Sequence, residues 1–214
     1  MLYKRWLAIG STLVTTTNSF IVRNRLLLHT AVSPHISQRF TSYRFASSDV
    51  HHDAIFEYEC ESEEDIEYLG NQLAQVLLDG DVLLLKGDLG AGKTTLSRGI
   101  IRSLCGDEFM RVTSPSYLLD NTYEYSTGRY IHHMDLYRLP AGCDLGILGI
   151  PDIFDTSVCL IEWPSRMSSD FMPSSYLEIN IAIDSGDKQK RSLQFNCVGM
   201  KWNNKMNKLD EILS

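Results

Sequence analysis

Apolar and polar positions change period several times along the chain. Residues 54–60 (AIFEYEC) alternate, which predicts a half-buried strand. Residues 62–65 (SEED) place a serine three positions before a carboxylate, the pattern of a capping box at a helix start. Ile66, Leu69, Leu73, Val76 and Leu77 then follow at helical spacing, and Asp79-Gly80 closes the segment. Residues 81–87 (DVLLLKG) form a short apolar run, as in a strand buried on both faces. Beyond a glycine-rich loop, Leu96, Ile100, Ile101 and Leu104 predict a second helix, with Gly106 just past its end.

The second half is richer in strands. A hydroxyl-rich loop, 112–119 (VTSPSYLL), leads into residues 121–135, which read as a hairpin turning at 126–128. Residues 145–154 predict one or two short helices, and 157–163 (SVCLIEW) another buried strand. Residues 176–184 and 190–198 suggest a second hairpin, and a short helix is expected near 208–213. Strand, loop, helix and further strands imply an α/β layered fold with a mixed, mostly parallel central sheet, to which the hairpins add antiparallel strands.

Charge divides the chain. Residues 1–48 hold no acid and six bases (Lys4, Arg5, Arg23, Arg25, Arg39, Arg44), with seven Ser and six Thr. The net charge is -7, so the remainder carries about -13, the difference between -7 and +6. A basic, hydroxyl-rich, acid-free start is the composition of an organellar transit peptide. The expected organisation is therefore a transit peptide at 1–48, removed on import, and a globular domain at 49–214. The expected compartment is the mitochondrion, with the chloroplast as the alternative. A secretory leader fits less well, because an odd cysteine would remain among Cys60, Cys105, Cys143, Cys159 and Cys197. The uncharged run 6–22 is shorter than a membrane span and rich in Ser and Thr, so no membrane insertion is expected. The acidic domain argues against a preformed basic face for nucleic acid.

The chemistry centres on residues 87–95, GDLGAGKTT. Gly87, Asp88, Leu89, Gly90, Ala91, Gly92, Lys93 and Thr94 satisfy G-x-x-x-x-G-K-[ST], and Thr95 follows. A triphosphate is a dense anion. Glycines let successive backbone N–H groups face it, and the following helix N-terminus adds partial positive charge. Lys93 suits the β- and γ-phosphates, and the Thr94 hydroxyl suits Mg²⁺. Hydrolysis needs a further carboxylate at a neighbouring strand end. Glu162 and Asp135 both end apolar runs and both qualify, although an acid there is often merely solvated. Thr113, Ser114 and Ser116 are candidates for a loop that senses the γ-phosphate. Strand alternation puts His133 on the face of Asp135; a packed or hydrogen-bonded histidine is the plainer reading than a metal ligand at His132 or His133. Trp163 suits base stacking, support of Glu162, or the core.

Five segments in this order, GDLGAGKTTLSRGI, TSPSYLL, HHMDLYRL, LGI-PDIF and LIEWP, resemble the TsaE (YjeE) family over about residues 55–184. The resemblance implies a three-layer P-loop NTPase fold and a bacterial-type ATPase needed to form threonylcarbamoyladenosine at tRNA position 37. It implies ATP on residues 87–95 and Mg²⁺ on Thr94 and Glu162. It also implies a catalytic set of Lys93, Asp135 and Glu162, with Asp135 placing the attacking water, and the segment TSPSY as a switch. Ser116 stands where the family commonly has Thr, and Glu63 matches an acidic position near the nucleotide. The implied partners are a TsaD-like threonylcarbamoyltransferase subunit and a TsaB-like scaffold, with tRNA met indirectly. Intrinsic hydrolysis is expected to be slow until a partner completes the site.

Other P-loop classes fit less well. A small-molecule or nucleotide kinase usually carries an arginine-rich lid, yet residues 135–164 hold only Arg138. A GTPase is mimicked by residues 207–210 (NKLD), but no D-x-x-G occurs, and a polar C-terminal helix explains that segment. An inactive scaffold is disfavoured by the intact Lys93, Thr94, Asp135 and Glu162.

Overall fold

The computed structural model describes residues 55–213. The expected transit segment and its boundary lie outside them. Strand β1 (Ile55–Cys60) leads to Ser62, which caps helix α1 (Glu63–Ala74). The capping box forms as expected: Asp65 N–H donates to Ser62 Oγ at 3.2 Å, and Ser62 N–H donates to the Asp65 carboxylate at 3.1 Å.

α1 stops one turn before the periodicity does. Val76 and Leu77 are buried from a turn, through Val76 N–H to Leu73 O at 3.0 Å and Leu77 N–H to Ala74 O at 3.4 Å. The buried Asp81 carboxylate then takes the Leu78 N–H at 2.8 Å and reverses the chain into β2 (Val82–Lys86). Helix α2 (Lys93–Cys105) follows the glycine loop and ends on Gly106 in the left-handed conformation.

Hairpin strands β3 (Asp120–Ser126) and β4 (Arg129–Asp135) precede β5 (Val158–Glu162). The chain then forms β6 (Tyr176–Ile183), β7 (Arg191–Val198) and helix α3 (Met200–Leu213). The sheet order is β1-β7-β6-β2-β5-β4-β3. Pairings β6–β2, β2–β5 and β5–β4 are parallel; the outer three are antiparallel. Each hairpin thus gives one strand to the parallel centre and one outside it: β3 is an edge, while β7 is itself covered by β1.

The central strands read as unbroken apolar runs because both their faces are covered. Leu83 and Leu85 join the core beneath the helices with Leu69, Leu96, Ile100 and Trp202. Val82 and Leu84 join a second core with Met134, Leu145, Phe154 and Ile161. That second layer is built from the crossover after β4, where the expected short helices are two 3₁₀ turns, Gly146–Leu148 and Asp152–Phe154. Gly149 and Pro151 interrupt any longer helix there.

α3 begins at Met200, eight residues before the expected start, and buries Trp202, Met206 and Leu209. The NKLD segment lies inside it, as the plainer reading held. α1 and α2 cross tightly at Gly99, where a Cβ would sit 2.1 Å from Glu67 O. Glu67 also pairs with Arg98 at 3.4 Å and Arg102 at 2.5 Å.

No disulfide joins the five cysteines. Burial raises the Cys60 and Cys159 thiols to about 12, which suits inert core residues. Among the described residues no helix is long and apolar enough to cross a membrane.

Candidate functional site

Three parallel strands end side by side. Asp135, the last residue of β4, is in register with Glu162, the last of β5, and Glu162 is in register with Leu85 of β2. Carboxylates and glycine loop therefore meet at the carboxyl edge of the sheet, where such folds take ligands. The loop leaves β2 at Gly87 and enters α2 through Gly92. Gly92 has φ +111°, and a Cβ there would press on Ile66 Cδ1 at 2.9 Å. Only glycine gives the turn that aims the first N–H groups of α2 into the cleft.

Lys93 is buried, and its Nζ donates to Gly87 O and Asp88 O, each at 2.8 Å. It also lies 4.1 Å from the centre of the Trp163 ring. Burial lowers its pKa, against the opposing pull of Glu162, Asp135 and Asp88. Trp163 adopts a left-handed conformation, φ 61°, uncommon for a bulky residue, and packs 4.9 Å from the Tyr137 ring. It flanks the lysine beside Glu162.

Thr94 Oγ1 donates to Glu162 Oε1 at 2.8 Å. His133 Nε2 lies 2.9 Å from the same oxygen, so this histidine is buried and hydrogen-bonded, whereas His132 faces Asp120 on the other side of the strand at 2.7 Å. No cluster of three or more His, Cys, Asp or Glu suited to a metal occurs among the described residues. Asp135 is engaged at both oxygens: Ser114 Oγ donates to Oδ2, and Tyr137 N–H donates to Oδ1 at 2.9 Å. The Asp135 N–H also donates to Leu119 O at 3.1 Å, which fastens the hydroxyl-rich loop to the strand end.

A cleft of about 740 Å³ opens over these groups. Leu89, Gly90, Gly92, Lys93, Thr94, Thr95, Asp135 and Glu162 line it, while Gly87, Asp88 and Ala91 form the back of the loop. Of the three loop hydroxyls only Ser114 lines it; Thr113 and Ser116 do not. Glu63 does, and it accepts a hydrogen bond from Thr95 Oγ1 at 3.0 Å.

The sequence reading missed the opposite wall, Lys188, Gln189 and Arg191. Arg191 Nε donates to Ala91 O at 2.9 Å and its Nη2 to Gly90 O at 3.2 Å. Two further bonds, to Lys188 O at 2.6 Å and Lys190 O at 2.9 Å, hold the guanidinium in place. An arginine after a polar hairpin turn was the one available signal, and by itself it is unremarkable.

The donor set consists of an ammonium, helix-start amides, a hydroxyl and a carboxylate. It matches a polyphosphate with a hard divalent cation, and the glycine cradle leaves room for both. Fold and site together define a P-loop NTPase. Residues 60–193 match the family model described as threonylcarbamoyl adenosine biosynthesis protein TsaE, and the chain belongs to that family.

Curated relatives named tRNA threonylcarbamoyladenosine biosynthesis protein TsaE agree. The Haemophilus influenzae protein is 41% identical over 118 residues, covering 52% of this chain and 72% of the relative. The Nostoc protein is 39% identical over 140 residues, 60% and 80% of the two chains. The Rickettsia felis protein is 36% identical over 132 residues, 62% and 75%. The crystal structure of Bacillus subtilis YdiB superposes with a TM-score of 0.63 at 26% identity, covering 77% of this chain and all of that one.

Proposed function

We propose that this protein is a Mg²⁺-dependent ATPase that serves threonylcarbamoyladenosine formation at tRNA position 37. In this reading it acts on a threonylcarbamoyltransferase complex, a TsaD-like subunit with or without a TsaB-like scaffold, and does not transfer the group itself. The names of its relatives support the pathway. The observation that carries the chemistry is the Thr94–Glu162 hydrogen bond beside Lys93, at the end of the glycine loop. The basic, acid-free residues 1–48 support import into mitochondria, with chloroplasts as the alternative.

Lys93 would exchange the carbonyls of Gly87 and Asp88 for the β- and γ-phosphate oxygens. Thr94 and Glu162 would hold Mg²⁺, which neutralises charge on the phosphates. Asp135 orients water, and its bond from Ser114 lets the loop report the state of the phosphates. Both carboxylates are nearly inaccessible to solvent, which strengthens their fields at the reacting atoms. Completion of the site by a partner fits a slow intrinsic rate.

The test is nucleoside mass spectrometry of organellar and cytosolic tRNA after depletion. Loss of threonylcarbamoyladenosine confined to one organelle is the expected result. Unchanged levels in every compartment would reject the pathway.

Arg191 gives a second test, on the loop itself. A carbonyl and the next N–H point opposite ways across a peptide plane. By fixing the carbonyls of Gly90 and Ala91, Arg191 therefore sets the planes that carry the Ala91 and Gly92 N–H groups. Arg191→Ala is expected to weaken ATP binding about tenfold, the value of one charge-assisted hydrogen bond at the low end of its range. Calorimetric titration reads this directly, and an unchanged Kd would mean the loop holds its shape unaided.

A further inference from the structure

His133 is fully buried at the heart of the site, yet the chemistry above gives it no task. Its Nε2 and the Thr94 hydroxyl converge on one atom, Glu162 Oε1, at 2.9 and 2.8 Å. Its Nδ1 is buried without any hydrogen-bond partner. These two facts assign the proton. A proton on Nδ1 would be stranded in the core, and the Nε2 lone pair would then face a carboxylate oxygen. With the proton on Nε2, the ring donates to Glu162, and Nδ1 keeps an unused lone pair, the cheaper defect.

Glu162 Oε1 is thereby held by two donors. Oε2 takes no hydrogen bond from the described residues, and Glu162 lines the cleft. Left alone, a carboxylate on a glutamate side chain rotates about its last torsion and offers either oxygen. Two donors on one oxygen remove that freedom. The Thr94 hydroxyl is also fixed: its proton points to Glu162, and its lone pairs are left for a cation.

We propose that His133 is a positioning residue for the metal. It anchors Oε1 of Glu162 so that Oε2 and the Thr94 oxygen are presented together to Mg²⁺. The proposal rests on the reading of Thr94 and Glu162 as Mg²⁺ ligands. Groups that orient a ligand from behind typically contribute 10- to 100-fold in metal affinity. A merely structural histidine, by contrast, would influence folding and nothing else.

The test uses the full-length chain and ADP, read by calorimetry and by tryptophan fluorescence, to which Trp163, whose ring lies against Lys93, contributes with Trp6 and Trp202. Binding is measured in EDTA and then across a Mg²⁺ titration. His133→Leu removes the donor at similar volume. It is expected to leave ADP affinity in EDTA within about twofold of wild type, while the Mg²⁺ concentration for half-maximal tightening rises about tenfold. His133→Gln carries an amide N–H that reaches the same oxygen and is expected to restore most of the metal response. His133→Asn falls short of it and should behave like the leucine variant.

If His133→Leu does not fold, the Gln and Asn variants decide between themselves. A Mg²⁺ response equal to wild type in Leu or Asn overturns the proposal. So does an equal loss in Gln and Asn, which would mark a packing role. If wild type itself binds ADP with no Mg²⁺ dependence, the underlying reading of Thr94 and Glu162 falls first.

Discussion

Lys93→Ala is expected to weaken ATP binding on the order of a hundredfold while leaving the fold intact. Two features set the magnitude. The ammonium is buried at the start of α2, where bulk water screens it little. It also already donates two hydrogen bonds at 2.8 Å within the loop, so its position is fixed before any ligand arrives. Hydrogen bonds to charged groups contribute about 1.5–3 kcal/mol each. Losing two to phosphate oxygens is offset in part by the two the lysine gives up to Gly87 and Asp88. A net loss of about 3 kcal/mol, on the order of a hundredfold in Kd, follows. Calorimetric titration with ATP would show it, and the thermal midpoint should barely move because water can reach the freed carbonyls. Affinity within threefold of wild type would mean that the loop amides alone hold the nucleotide.

Glu162→Gln separates binding from turnover. The substitution keeps shape and a hydrogen-bond acceptor for Thr94 and His133 but removes the charge. In EDTA, ATP should bind at least as well as to wild type, since a negative group beside the phosphates is gone. Mg²⁺-dependent hydrolysis should fall by about 10²–10³, the usual cost of removing one preorganised electrostatic element. Phosphate release under single-turnover conditions, with the partner complex present if intrinsic turnover is too slow, measures this. Wild-type rates would exclude Glu162 from the mechanism and leave Asp135 as the operative carboxylate.

The features legible in the sequence share one property: their cause is local. The capping box at Ser62 and Asp65, the apolar runs of β2 and β5 and the glycine loop each carry their reason within a few residues. Strand-end carboxylates were legible because parallel strands of similar length end together, and Asp135 and Glu162 do. Features set by distant partners were not. Arg191 acts on carbonyls a hundred positions earlier in the chain, and backbone oxygens leave no mark in a sequence. Helix α1 ends early because the Asp81 side chain captures the Leu78 N–H, a choice made by chain reversal against propensity. α3 starts early because Trp202 and Met206 pack into the core, while Asn203 and Asn204 between them dilute the apolar period. His133 was placed on the correct face, but its partnership with Glu162 depends on β5 lying alongside β4.

The crossing of α1 and α2 at Gly99 has a mechanical meaning. With 2.1 Å between a would-be Cβ and the Glu67 carbonyl, and two arginines locked to Glu67, the helices cannot slide past one another. They form one stiff unit whose inner end is the glycine loop. Any tilt of α2 that accompanies a filled or empty cleft must carry α1 with it. If the glycine loop takes a nucleotide as proposed, the outer surface of α1 would move with the loop that holds it.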